Sequence, residues 1–181
     1  PLSVAAGGAL PGGAGAVALT ALGPHGLGVI DARDPGAPRV TARFCLAAVA
    51  PALPLAPLPT RPPLMACDDG RARRWVPSVA LSADGTIGAA AVDSAVMVID
   101  LAGPDAVRSV AWVDVGAPVT ALAVDGDRAL ALAHPFAGDD AGNQIVVIDV
   151  REPAAPYARG RLKLGGDPLA FGALAAAGGT A

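Results

Sequence analysis

Short apolar runs separated by glycine, proline and aspartate set the pattern of this chain. Val29-Ile30, Val98-Ile99 and Val147-Ile148 each end in an aspartate, at Asp31, Asp100 and Asp149. A proline-bearing turn follows each: Asp34-Pro35-Gly36-Ala37-Pro38, Gly103-Pro104-Asp105 and Glu152-Pro153-Ala154-Ala155-Pro156. Short β-branched runs bounded by such residues read as strands, and the proline turns read as their connections.

The pattern repeats. Residues 118–166 divide into four strand-like pieces, at 119–124, 128–133, 144–149 and about 157–164. Asp125-Gly126-Asp127 supplies the first turn, where glycine provides the positive φ that a tight hairpin needs. The third piece, Gln144-Ile145-Val146-Val147-Ile148-Asp149, is nearly all apolar, as in a strand buried on both faces. Residues 77–115 repeat this plan around Asp84-Gly85, with strands expected at 77–81, 86–92, 95–100 and 108–115. Residues 2–6, 16–22, 27–31 and 40–46 give a less sharply written first copy. From opening proline to aspartate the spacing is 30 residues from 1 to 31, 31 from 118 to 149, and 23 from 77 to 100. A fourth copy opens at Pro168-Leu169.

Four antiparallel strands per repeat, at a period of roughly 40–50 residues, describe a β-propeller blade. The expected fold is therefore all-β: blade 1 over residues 1–46, a Pro-rich insertion loop over 47–76, blade 2 over 77–116, blade 3 over 117–166 and the start of blade 4 over 167–181. A β-sandwich with coincidental Val-Ile-Asp strands is the alternative, disfavoured by the triplicated proline turn at matching offsets.

The wording Val29-Ile30-Asp31-Ala32-Arg33-Asp34-Pro35-Gly36-Ala37-Pro38 resembles the LVIVD-repeat family of bacterial surface and exported propellers. Val147-Ile148-Asp149-Val150-Arg151-Glu152-Pro153-Ala154-Ala155-Pro156 matches with Glu for Asp. The middle unit lacks the second proline, and its Leu81-Ser82-Ala83-Asp84-Gly85 is closer to the turn of YVTN-type propellers. The resemblance spans about two-thirds of the chain. It implies a fold and an extracellular or cell-surface location, and specifies activity hardly at all.

Composition narrows the function classes. The 181 residues are 53% hydrophobic but only 3% aromatic, and Gly 23 with Pro 18 leaves few segments able to sustain a helix. A formal net charge of −3 and few aromatics argue against a nucleic-acid partner, which needs a basic stripe and stacking platforms. No apolar run reaches the roughly 18–20 residues of a membrane span. The chain opens at Pro1 without a methionine or a leader-like segment, and reads as a processed chain or a fragment. Three blades and a start do not close a ring that typically needs roughly four to eight. The chain made alone is thus expected to aggregate or oligomerise.

Candidate chemistry collects on one loop face. The connections between second and third strands hold His25, Asp93, and His134 with Asp139 and Asp140. Imidazole and carboxylate from neighbouring loops can ligate a divalent metal; the same residues also serve as ordinary solvated turn residues. No other cofactor is expected. In the insertion, Pro51, Pro54 and Pro57 recur every third residue, a polyproline II spacing that fits a stiff covering loop or a peptide ligand. Arg71, Arg73, Arg74 and Trp75 form an anion-gripping cluster, unless Asp68 and Asp69 pair with the arginines. Cys45 and Cys67 bracket a 22-residue loop, and a disulfide there would contribute roughly 3 kcal/mol and suit an exported protein. Asp31, Asp100 and Asp149, with Pro35 and Pro153, read as structural punctuation rather than acids for catalysis.

No catalytic motif is present. The expected function is a rigid binding scaffold for a protein or glycan on the loop face. A propeller enzyme of the lactonase or quinoprotein-like kind, with metal or cofactor on that face, is the alternative.

Overall fold

A computed structural model describes residues 4–9, 16–22, 26–32, 34, 36–46, 64–65, 76–101, 109–134, 142–165 and 174. Every regular element among them is a strand: β1 (Val4–Ala9), β2 (Ala16–Ala21), β3 (Leu27–Asp31), β4 (Arg39–Leu46), β5 (Leu64–Met65), β6 (Val79–Leu81), β7 (Ile87–Val92), β8 (Ala95–Asp100), β9 (Ser109–Asp114), β10 (Val119–Asp125), β11 (Arg128–Ala133), β12 (Asn143–Asp149) and β13 (Tyr157–Gly165).

They form three separate antiparallel sheets, in the orders β1-β2-β3-β4-β5, β6-β7-β8-β9 and β10-β11-β12-β13. Each is a meander of consecutive strands, so every hairpin depends on its turn. Asp84-Gly85 and Asp125-Gly126 work because Gly85 (φ 74) and Gly126 (φ 53) take the left-handed backbone that a Cβ disfavours. β5 departs from the sequence reading, which has no strand in the insertion: Leu64 and Met65 pair with Leu46 and Cys45 and lengthen the first sheet's outer edge. A two-residue strand has no periodicity to read.

The sheets stack face to face in chain order. β6 lies against β1 and β2, β10 lies against β6 and β7, and β13 only touches β9. First strands are thus brought together while last strands diverge, the wedge geometry of consecutive propeller blades.

The Val-Ile-Asp triplets explain the stacking. Side chains alternate across a strand, so the valine and isoleucine of each triplet face opposite ways. Val29 joins the core between sheets one and two, and Val98 the core between sheets two and three. Ile99 faces back into the first of these cores, and Ile148 back into the second. Two positions belong to neither core: Ile30 on the first sheet and Val147 on the third, both only half-buried. β12 is therefore buried on the face of Val146 and Ile148 and half-buried on that of Ile145 and Val147, not fully buried on both.

Candidate functional site

One end of the stack is tied together by the turn between β7 and β8. Its first residue, Asp93, has φ 52, an uncommon backbone for a residue other than glycine and one that Asp tolerates best. The Asp93 carbonyl accepts from Val119 N–H and the Ser94 carbonyl from Val115 N–H, each at 2.8 Å. Residues 115–119, the connection into the third sheet, are thereby fastened to the second. At the end of β11, His134 N–H donates to the Pro118 carbonyl at 2.9 Å. Asp93 and His134 thus flank one connection between sheets.

The His134 side chain is turned inward and 9% exposed. Its Nδ1 lies 2.7 Å from Asn143 Oδ1, and its Nε2 lies 2.6 Å from Thr120 Oγ1. In the neutral ring Nδ1–H donates to the Asn143 carbonyl and Nε2 accepts from the Thr120 hydroxyl. Both nitrogens are engaged, so a metal at His134 would displace one of these partners. Among the described residues, no three His, Cys, Asp or Glu side chains are placed to hold a metal ion. His25, Asp139 and Asp140 lie outside the described residues, as do Arg71, Arg73, Arg74, Trp75, Cys67 and Pro35, and nothing is described of the Cys45 side chain.

Two further ties cross the same boundary. Ser78 Oγ accepts from the buried Leu122 N–H at 3.2 Å, joining the entry to β6 with the inner strand of the next sheet. Arg161 on β13 donates from Nη1 to the Val115 carbonyl at 2.7 Å. Sequence reading misses both, along with Thr120 and Asn143. The available signal is a polar residue inside an apolar strand, which is buried only with a hydrogen-bond partner.

Asp149 organises the opposite end. Its carboxylate, almost wholly covered, accepts a forked pair from Arg151, with Nε at 3.0 Å from Oδ1 and Nη2 at 2.6 Å from Oδ2. Arg151 N–H donates to Oδ1 at 3.2 Å and the Tyr157 hydroxyl to Oδ2 at 3.2 Å. The Arg151 hydrogen bonds, outweighing burial, hold the Asp149 carboxyl down to about 2 and raise the Arg151 guanidinium in turn. At the β6–β7 turn, Asp84 Oδ1 accepts from the Ser82 hydroxyl at 2.6 Å and from Thr86 N–H at 3.1 Å. The Ser82 bond is the largest cause that lowers its pKa. These are fixed turn carboxylates, satisfied within their own loops.

No family model and no curated protein matches the sequence. Among solved structures the crystal structure of Sqt1 from Saccharomyces cerevisiae is similar, at 15% identity and a TM-score of 0.46, over 82% of this chain and 30% of that one. The chain thus spans under a third of that structure's length. A likeness of that size does not decide the fold, which rests on the pairing and stacking of the sheets.

Proposed function

We propose that this chain is part of an exported or cell-surface β-propeller of the LVIVD-repeat kind, acting as a rigid binding scaffold. Its partner is a protein or a glycan held on the loop end that carries Asp93, Ser94 and the connection at residues 115–118. The supporting observation is the succession of one five-stranded and two four-stranded meanders stacked first strand to first strand, with loops stapled by backbone hydrogen bonds. Loops held this firmly lose little freedom on binding, the feature that favours a preorganised surface.

A glycan array and a displayed peptide library, screened with the whole chain, test this. Ligands should be lost by Asp93→Lys with Ser94→Lys and kept by Asp127→Lys at the other end. Ligands that ignore the first change, or the absence of any ligand, overturn the reading. Export is tested separately, by finding the native protein in the extracellular or surface fraction of its source cells.

A further inference from the structure

β13 is the outermost strand of the third sheet, and its outer edge stands open among the described residues. Every residue from 157 to 164 is exposed, and a Cβ at Gly160 would meet nothing within 4 Å. The other outer strands differ. On β9, Val110, Ala111 and Trp112 are half-buried and Val113 is buried. At the end of β4 the chain itself takes the edge, where β5 pairs antiparallel through Cys45↔Met65 and Leu46↔Leu64. This molecule thus already extends one sheet by laying a short extended segment against its outer strand.

The open edge has the regularity that strand addition needs. β13 pairs with β12 without a break from Val147↔Gly160 to Gln144↔Lys163. An edge strand points alternate N–H and C=O groups outward, ready for any extended chain alongside. Its side chains sort by charge. Arg161 and Lys163 pair with Val146 and Gln144 on the face toward the second sheet. Leu162 pairs with Ile145 on the other face, and Leu164 follows it by alternation. Arg161 directs Nη1 to the Val115 carbonyl, and a guanidinium carries five donors. No carboxylate lies on β13.

We propose that β13 captures an extended acidic peptide as a fifth strand of the third sheet, one whose acidic and apolar residues alternate. Its carboxylates lie beside Arg161 and Lys163, and its apolar side chains beside Leu162 and Leu164. Backbone hydrogen bonds supply the affinity, and the alternation supplies the selectivity. A second copy of this chain is the poorer occupant, because two β13 edges side by side set like charges opposite one another. The capture depends on the pairing within the third sheet, and on neither the blade reading nor the loop-end ligand.

Fluorescence anisotropy of a labelled peptide of about eight residues, alternating Glu and Val, titrated with the whole chain, tests it. The Glu–Val peptide should bind saturably. A Lys–Val peptide should not bind, nor should the Glu–Val peptide N-methylated throughout, which has no backbone donors. Lys163→Glu should weaken binding by about fivefold, since it turns one exposed attraction into a repulsion. That variant should keep the wild-type circular dichroism; if it does not, the two control peptides decide. Absence of Glu–Val binding overturns the proposal and leaves the cations as guards of the edge against other strands. So does binding that the Lys–Val peptide equals, or that N-methylation or a folded Lys163→Glu leaves unchanged. Sedimentation that shows copies paired through this edge, closed to the peptide, makes a second copy the occupant and overturns it too.

Discussion

Ser78 and Leu122 are joined across the boundary between the second and third sheets, where the Ser78 hydroxyl accepts the buried Leu122 N–H at 3.2 Å. Leu122 lies on β10, and Ser78 precedes β6. The Ser78 carbonyl also accepts Ala91 N–H at 2.9 Å, which fixes the hydroxyl where Leu122 needs it. Ser78→Ala leaves a buried amide without a partner and should cost about 1–3 kcal/mol in urea denaturation, with Ser78→Thr recovering most of the loss. An alanine variant as stable as wild type would show that the bond contributes nothing.

Gly88 on β7 lies beneath Leu19 of the first sheet. A Cβ at Gly88 would approach Leu19 Cδ1 to 2.5 Å and Leu101 Cδ1 to 3.3 Å. Leu19 is fully buried, so its Cδ1 must shift within the packed core. Gly88→Val is therefore expected to destabilise by about 1–3 kcal/mol through overpacking. Combined with Leu19→Ala, its cost should fall below the sum of the single changes, which a double-mutant cycle measures.

Asp149 gives the protein an acid limb. Its folded pKa of about 2 lies below the ordinary carboxyl range. The stability it contributes is thus present above about pH 4 and drains away as pH falls toward 2. Urea midpoints for wild type and Asp149→Asn should differ most near neutrality and converge as pH approaches 2. A constant gap across that window would remove Asp149 from the acid response.

His134 is expected to matter for folding. Replacing it with alanine removes a hydrogen-bond partner from Asn143 Oδ1 and from the Thr120 hydroxyl, both at buried or half-buried positions. Thermal and urea unfolding of His134→Ala should show a loss of about 1–3 kcal/mol. Unchanged stability would mean that the ring is not held by these partners.

Local punctuation made much of the strand layout legible. The spans 27–31 and 95–100 are read to the residue, because Val-Ile-Asp ends each run in a residue suited to a turn. Asp-Gly pairs place the β6–β7 and β10–β11 turns for the same reason. The stacking is less legible, since it depends on which face of a strand meets which neighbour. A strand such as β12 looks equally apolar whether one face is covered or two. The cross-sheet ties leave no local trace, because Ser78 and Leu122 are 44 residues apart and Arg161 and Val115 are 46. His134 reads as a loop residue because the partners that draw it inward, Thr120 and Asn143, are scattered along the chain.

The seam between the second and third sheets sets valines against alanines, the latter at Ala80, Ala89, Ala91, Ala117, Ala129, Ala131 and Ala133. A methyl offers little to remove, so hollowing out any one of these alanine sites costs the molecule comparatively little. Bulk is the danger instead. A single leucine at Ala89 or Ala131 would force the two layers apart along their whole length, so this joint tolerates wear but not wedging.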